Sequence, residues 1–290
     1  MNKNRLSLKS FLIFSFLLFA MSFYSQRIRF PYDPTPAEEI NRPVIDTSLV
    51  RIQYLMLYVK DIEAPDKKTE NTMMLQIGNE LSKYSDFHRY LSDSLWNALA
   101  NKKKPISEVR SEVINYREGT LKMNIFKNYP KGKITTIDRI PFDTYTFEEE
   151  MESPDWALES DTLTVCGYTC KKATTTYFGR NYTAWYAPEI PISDGPWKFF
   201  GLPGLILKVE DDREHYSFEC IAIEKPAWGS IIYDTGLMPF GITKERFYKR
   251  LKEYYDNPAA MVEGTGLVLS PLPESARKAR PYNPIELSEE

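Results

Sequence analysis

Segments with the alternating apolar and polar pattern of β-strands follow one another through much of the chain, and mostly short turns join them. Parallel pairing would require helix-length crossovers, and the stretches between these segments carry no helical pattern. Neighbouring segments should therefore pair antiparallel. Seven of them are 121–128, 133–140, 145–150, 163–177, 182–187, 205–210 and 216–224.

Two earlier strands and two amphipathic helices complete the predicted fold. Residues 48–61 and 72–77 have strand patterns, whereas residues 86–99 and 243–257 place apolar side chains at helical spacing. We expect a β-rich α+β fold with a curved antiparallel sheet, or an open bowl or half-barrel, of roughly eight to ten strands. One helix would be inserted early and a second would pack near the C-terminus.

The N-terminus has the proportions of a secretory signal peptide. Lys3, Arg5 and Lys9 precede an apolar run at 11–23, which is too short to span a bilayer comfortably. Small residues before position 26 suit cleavage, so we take residues 1–25 as the signal peptide. We expect an exported protein with no transmembrane segment in its mature chain, periplasmic in preference to secreted or bound at the cell surface.

Composition shifts divide the rest of the chain. Prolines are frequent after the signal peptide, so we expect an extended arm at 26–45. A single β-rich domain should occupy residues 46–270. The polar, proline-interrupted end at 271–290 predicts a tail.

The charge balance argues against nucleic acid as a partner. Removing residues 1–25 lowers the 37 basic residues to 34, which face 40 acidic ones. The longest basic run, at 102–104, is too short to follow a phosphate backbone.

Cys166, Cys170 and Cys220 all follow the signal peptide, so an oxidising compartment would permit a disulfide. In an extended strand, the Cα atoms of Cys166 and Cys170 would be roughly 13 Å apart. A disulfide closes only below about 7 Å. Either one of the two pairs with Cys220, or Gly167 folds the segment back. We favour a bond between Cys170 and Cys220, which leaves one thiol unpaired.

The most distinctive segment, residues 185–207, combines four prolines with five aromatic rings. Each proline fixes its own φ and disfavours helix at the preceding residue, which predicts a stiff loop. Pro203 and Gly204 fit the central positions of a type II turn that leads into a buried strand. The hexapeptide Gly201-Leu202-Pro203-Gly204-Leu205-Ile206 is therefore predicted to have an architectural role.

Two interpretations of the aromatic residues remain open. They can close the core at the open end of the sheet, or some can line a concave site for a sugar, peptide or lipid. The second interpretation is physically reasonable because rigid aromatic walls lose little conformational entropy on binding, and we favour the first. The candidate ligand-binding residues are Arg180, Trp185, Tyr186, Glu189, Trp197 and Phe199.

The same region resembles the GLPGLI family of exported bacterial proteins, which is named after the hexapeptide. The resemblance also takes in residues 167–174, 179–180, 185–191 and 195–196, and more weakly 75–78 and 283–287. It implies export in a Gram-negative cell envelope. It also implies an antiparallel β-rich fold related to a bowl-shaped domain that precedes the catalytic part of a deglycosylating enzyme. The family has no established activity, so it provides no catalytic residues to transfer.

Catalytic chemistry has weak support in the sequence. A serine hydrolase needs an activated serine beside a histidine, but the chain has only His88 and His215 and no Gly-x-Ser-x-Gly motif. His215 has few candidate metal ligands near it, so we expect neither a metal site nor a cofactor. The leading hypothesis is a noncatalytic envelope protein that binds a protein, glycan or lipid. The alternative is a hydrolase that acts on envelope or extracellular polymers through paired carboxylates.

Overall fold

The computed structural model describes residues 31–116, 119, 121–226, 231–264 and 272–287. These residues form two compact units, the smaller made of residues up to 39 with Leu95–Asn115, and the larger of the remainder. The predicted signal peptide lies outside the described residues. Within the described part of the chain, no helix is long and apolar enough to span a membrane.

The smaller unit is helical. Helix α1 (Phe87–Asn101) enters it at Leu95, and helix α2 (Ile106–Val113) follows after a short turn. Ala37 is buried with small apolar side chains of both helices. Its backbone NH donates to the carbonyl oxygen of Lys104 at 2.9 Å, so this part of the expected N-terminal arm is held against the helices.

The larger unit contains fourteen strands among its described residues. They are β1 (Val44–Thr47), β2 (Val50–Val59), β3 (Lys68–Ile77), β4 (Ser82–Asp86), β5 (Asn124–Lys127), β6 (Lys133–Ile140), β7 (Asp143–Glu150), β8 (Ala157–Val165), β9 (Tyr168–Tyr177), β10 (Arg180–Ala187), β11 (Leu205–Asp211), β12 (Tyr216–Glu224), β13 (Ile231–Tyr233) and β14 (Phe240–Gly241). β1 pairs with β13, and the other twelve form one curved open sheet that does not close into a barrel.

The order of strands in the large sheet is β14-β7-β6-β5-β4-β3-β2-β12-β11-β10-β9-β8. Most neighbours are consecutive in sequence and antiparallel, because short turns return the chain beside itself. β2 instead pairs with the distant β12 and so joins the N-terminal strands to the later ones. Only the pairing of β14 with β7 is parallel among the described strands.

Side-chain alternation explains which face of the sheet is covered. On β2, Ile52, Tyr54 and Met56 are buried, whereas the residues between them are partly exposed. Successive side chains of a strand point to opposite faces, so one face packs into the core and the other is left partly open.

The predicted single strand at 163–177 is wrong, because this segment is a hairpin of β8 and β9. The two strands meet at a two-residue turn in which Cys166 and Gly167 have φ of +48° and +83°. Positive φ at both central positions matches the twist of antiparallel strands. The alternative in which Gly167 folds the segment back is therefore the observed one.

Helix α3 (Lys244–Asp256) covers part of the sheet beside β7, and helix α4 (Pro258–Gly264) follows it. The Thr243 hydroxyl caps α3 by accepting from the backbone NH of Arg246 at 3.4 Å. On the apolar side, Phe247 is buried, and its ring centroid lies 5.2 Å from that of Phe147. The amphipathic pattern of this segment thus reflects packing on the sheet.

The β-rich α+β class and the curved antiparallel sheet are confirmed. The large sheet has twelve strands, more than the eight to ten expected. Short strands such as β4 and β14 contain too few residues to show a clear alternation. The domain boundaries predicted at residues 46 and 270 stay predictions.

Phe247→Ala should lower the free energy of unfolding by about 3–5 kcal/mol, because it leaves a cavity between α3 and β7. Urea unfolding followed by tryptophan fluorescence measures the loss. Arg246→Ala, at an exposed position of the same helix, is the matched control and should change stability by less than about 0.5 kcal/mol. Equal losses in the two variants would contradict the packing role of α3.

Candidate functional site

A buried lysine anchors the loop that joins β10 to β11. Lys127, at the end of β5, has a side chain that is 1% exposed, and it pairs with the Asp194 carboxylate. Its Nζ also donates to the carbonyl oxygens of Gly195 at 2.7 Å and Phe199 at 3.4 Å. Burial lowers the pKa of Lys127, and the Asp194 carboxylate opposes this shift. The ammonium group of Lys127 therefore holds the loop against the sheet, and it needs these partners because it is buried.

The aromatic residues of this loop turn into the core. Trp197 and Phe199 are buried, with ring centroids 5.1 Å apart and their rings edge to face. Phe199 also meets Tyr182 of β10 edge to face at 4.8 Å. Such pairs stabilise a core beyond the area that they bury. The interpretation in which these rings close the core is the one that the structure supports.

In the sequence, Lys198 lies between Trp197 and Phe199, and its side chain is also buried. Its Nζ pairs with Glu149 of β7 and, at 2.6 Å, with Glu286 near the C-terminal end. Lys244 of α3 bridges the same two carboxylates and lies 2.6 Å from Glu286. Three rings surround the Lys198 ammonium group at 5.1–5.7 Å, those of Phe147, Phe178 and Trp197. This buried ion cluster joins the loop, the sheet, α3 and the C-terminal segment.

Arg180, at the start of β10, is 3% exposed and makes the second set of buried contacts with the C-terminal segment. Its guanidinium pairs with Asp211 at 2.8 Å. It also donates to the carbonyl oxygens of Pro284 at 2.7 Å and Ile285 at 3.1 Å, and to Asn283 Oδ1 at 2.8 Å. Residues 283–285 are therefore held against the start of β10.

Four of the six predicted ligand-binding residues are inside the protein. Arg180, Tyr186, Trp197 and Phe199 are all buried. Their side chains are in the core or its ion pairs, so the expected open ligand site in this loop is corrected to a structural assembly. Of the remaining two, Trp185 is partly exposed and Glu189 is exposed.

The turn within the hexapeptide is tighter than predicted. The backbone NH of Gly204 donates to the carbonyl oxygen of Leu202 at 2.8 Å, which makes a three-residue γ-turn centred on Pro203. The prediction of a type II turn is wrong. The backbone NH of Leu205, which would close such a turn by donating to Leu202, donates instead to the carbonyl oxygen of Ile190 at 3.0 Å.

Gly204 nevertheless has the architectural role that the sequence predicts. Its φ is +153°, and a Cβ atom there would lie 2.3 Å from the carbonyl oxygen of Ala187. A side chain at this position would force the two backbone segments apart. Leu205 and Ile206, which follow, are fully buried at the start of β11.

The three cysteines are free thiols, Cys166 exposed and both Cys170 and Cys220 buried. The predicted disulfide between Cys170 and Cys220 is therefore absent from the structure. The Cys170 thiol donates to the Tyr168 carbonyl oxygen and the Cys220 thiol to that of Ala222, each at 3.7 Å. Both buried sulfur atoms thus have weak backbone partners.

The open face of the sheet presents one row of side chains across strands β8 to β12. Trp185 lies directly opposite Lys172 on β9 and Lys208 on β11, and Lys208 lies opposite Glu219 on β12. Directly opposed residues share a face. Lys172 pairs with Glu159 of β8 at 2.8 Å, and Lys208 pairs with Glu219 at 3.4 Å. We call Glu159, Lys172, Trp185, Lys208 and Glu219 the Trp185 face.

Side chains that commonly bind metals are dispersed. Among the described residues, no group of three or more His, Cys, Asp or Glu side chains could hold a metal ion. Glu149 and Glu286, which do lie close together, bind the two lysine ammonium groups of the buried ion cluster.

Sequence reasoning missed Lys127, Lys198 and Glu286. The one available signal was a lysine within an apolar run, as in Trp197-Lys198-Phe199. Lysine is seldom fully buried without a partner, so such a position indicates a buried ion pair.

These features define a β-rich protein whose distinctive loop is a structural element. Residues 179–208, which span Arg180, the loop and the hexapeptide, match the family model described as "Protein of unknown function (Porph_ging)". This is the GLPGLI family, so the resemblance predicted from the sequence is confirmed over this segment. No curated protein is significantly similar to the chain.

Solved structures of PNGF-II in two space groups are similar to the chain. The first has 13% sequence identity and a TM-score of 0.48, and the match covers 73% of this chain and 34% of that chain. The second has 13% identity and a TM-score of 0.47, and covers 71% and 33%. The chain thus spans about a third of the length of these two structures.

The buried ion cluster predicts a dependence of stability on pH. Burial raises the pKa of Glu286, but the Lys198 and Lys244 ammonium groups outweigh it and hold this pKa below its ordinary value of 4.5. The unfolded carboxyl group therefore takes up its proton at higher pH than the folded one. The stabilisation from Glu286 is complete above pH 4.5 and is lost as the pH falls through the folded pKa.

Glu286→Gln should lower the free energy of unfolding by about 3–5 kcal/mol at neutral pH, because it leaves buried charge without its partner. The difference from the wild type should shrink as the pH falls below 4.5 and through the lower pKa of the folded carboxyl group. Urea unfolding at several pH values measures it. Glu253→Gln, at an exposed position of α3, should give a difference near zero throughout. A Glu286→Gln difference that does not change with pH would contradict the assignment.

Proposed function

We propose that the chain is a noncatalytic binding module that holds a neutral glycan on the Trp185 face. The observation that carries the proposal is the position of Trp185, a partly exposed aromatic ring at the centre of a row of charged side chains. An indole ring offers a rigid apolar platform for the C–H face of a sugar ring. The carboxylates and ammonium groups beside it can bond to hydroxyl groups.

Ion pairing within the face favours a neutral ligand. Lys172 pairs with Glu159 and Asp161, and Lys208 pairs with Glu210 and Glu219. Two ammonium groups thus face four carboxylates, so an anionic lipid or polymer would be repelled. The ion pairs already hold these side chains in one conformation, so they lose less conformational entropy when they bond to a ligand.

A glycan fits this face better than a lipid or a protein partner does. A lipid tail requires a contiguous apolar surface, and a protein hot spot usually combines several buried anchors. The Trp185 face presents one aromatic ring among paired charges. A flat array of this kind suits an oligosaccharide that lies along the sheet surface.

The alternative of a hydrolase with paired carboxylates gains no specific support from the described residues. Glu149 and Glu286 are bound to lysines, and Asp194 is paired with Lys127. Each of these carboxylates is therefore occupied by an ammonium group of the protein.

Trp185→Ala should weaken glycan binding by about ten- to thirtyfold, since truncation of a central aromatic contact typically costs about 1.4–2 kcal/mol. Affinity electrophoresis through gels that contain mannan, dextran or laminarin measures the change. Tyr32→Ala, which removes an 81% exposed ring elsewhere, is the aromatic control and should bind as the wild type does.

A second variant separates binding from folding. Lys208→Ala removes a charged neighbour of Trp185 and should weaken binding while the circular dichroism spectrum stays unchanged. Full binding by folded Trp185→Ala protein would refute the assignment of the face. Release of reducing sugar from any of the three polymers would favour the hydrolase.

We also propose that residues 1–25 direct export and that the mature protein lies in the periplasm of a Gram-negative cell. The basic residues followed by an apolar run support this proposal. Fractionation and N-terminal sequencing should find a mature chain that begins at residue 23 or 26 in the periplasm. A doubly substituted control, Leu17→Arg with Leu18→Arg, should stay uncleaved in the cytoplasm. Wild-type protein that keeps Met1 would contradict the proposal.

A further inference from the structure

A second row of side chains runs beside the Trp185 face, two residues away on each strand. Thr183 of β10 lies directly opposite Thr174 on β9 and Glu210 on β11, and Glu210 lies opposite Ser217 on β12. Residues that are directly opposed, or two apart on one strand, share a face of the sheet. All four side chains are partly exposed on the open side. We call Thr174, Thr183, Glu210 and Ser217 the Thr183 row.

A third row lies on the far side of the Thr183 row from Trp185. Asn181 of β10 lies opposite Thr176 on β9, and its side-chain amide is fixed from both sides. The Thr176 hydroxyl donates to Asn181 Oδ1 at 2.8 Å, and Asn181 Nδ2 donates to Asp212 Oδ2 at 2.9 Å. These three exposed side chains hold one another in place and form a polar rim.

Side-chain length makes the middle row a groove. Three of its four members are threonine or serine, whereas the Trp185 face on one side consists of long side chains. Glu210, the long member, is drawn toward the Trp185 face, because its carboxylate pairs with Lys208 at 3.4 Å. Neighbouring rows are about 7 Å apart along the strands. The result is a shallow groove that crosses β9, β10, β11 and β12.

The floor of this groove offers hydroxyl groups. The hydroxyls of Thr183 and Ser217 have no hydrogen-bond partner among the described residues. The Thr174 hydroxyl donates to Glu159 at 3.1 Å, so its oxygen is still able to accept. A hydroxyl group both donates and accepts, and so do the hydroxyl groups of a sugar. The floor therefore suits a neutral, hydroxyl-rich ligand.

The spacing of the strands selects the shape of that ligand. Neighbouring strands are about 4.8 Å apart, close to the length of one hexose unit in an extended β-1,4-linked chain. Such a chain can place successive units over successive strands, with Trp185 beside the unit over β10. An α-1,4-linked chain coils, so it would contact only part of the groove.

We propose that this groove binds an extended, neutral β-1,4-linked oligosaccharide that lies across β9 to β12. The proposal rests on the glycan-binding function proposed above and adds the linkage and the direction of the chain. Three hydroxyl groups on the floor and the indole ring at the rim would contact successive sugar units.

Isothermal titration calorimetry with tetrasaccharides tests the proposal. Cellotetraose or β-1,4-mannotetraose should bind about tenfold more tightly than maltotetraose, which is α-1,4-linked and would lose hydrogen bonds to the floor. Affinity should rise from cellobiose to cellotetraose and then level off at cellopentaose, because four strands line the groove.

Substitutions at Thr183 locate the ligand. Thr183→Val removes the hydroxyl with little change of shape and should weaken binding of the β-1,4 tetrasaccharide by about two- to tenfold. Thr183→Arg fills the groove and should weaken it by more than about tenfold. Thr144→Val and Thr144→Arg, at a partly exposed threonine of β7 near the other end of the sheet, are the matched controls and should bind as the wild type does.

The outcomes separate this proposal from the one on which it rests. Equal binding of the α- and β-linked tetrasaccharides, weakened by Trp185→Ala, would overturn the groove and leave the Trp185 face as a glycan site. Full binding by Thr183→Arg protein with an unchanged circular dichroism spectrum would do the same. Wild-type protein that binds none of the oligosaccharides also overturns the groove. If it fails to bind mannan, dextran and laminarin as well, the proposed function is refuted with it.

Discussion

Two buried cations, Arg180 and Lys198, hold residues 283–286 against β10 and the loop that follows it. Each needs partners in the folded protein, because an unpaired buried charge costs several kcal/mol. Asp211 and two backbone carbonyl groups of the C-terminal segment are the partners of Arg180, and Glu149 and Glu286 are the partners of Lys198. The twelve-stranded sheet provides the frame, and these contacts decide how the loop lies on it.

Because the aromatic rings of the loop are buried, they are not available to a ligand, and the partly exposed aromatic ring nearby belongs to the Trp185 face. Trp197 and Phe199 close the core, while Trp185, twelve residues before Trp197 in the sequence, is left partly exposed on the open side of the sheet. The matched family segment at 179–208 is therefore chiefly the part that organises the fold. Side chains on the open face, including Trp185, lie outside the buried contacts that set this organisation.

The sequence predicts those features that follow from local pattern. Alternation at Ile52, Tyr54 and Met56 identifies a strand, and apolar spacing around Phe247 identifies a covering helix. Other features depend on distant residues. The burial of Lys198 requires Glu286, 88 residues away. Cysteine is also an unusual residue at positive φ, so the turn at Cys166 was not evident. Trp185 and Trp197 look alike in sequence, and only the assembled sheet shows which is exposed.

The distance in sequence between Arg180 and its partners has a consequence for the order of synthesis. Ile285 follows Arg180 by 105 residues, so a growing chain completes β10 long before it can supply these contacts. Closing the loop at that stage would bury both cations without residues 283–286. This region therefore reaches its final arrangement only once those residues have been made.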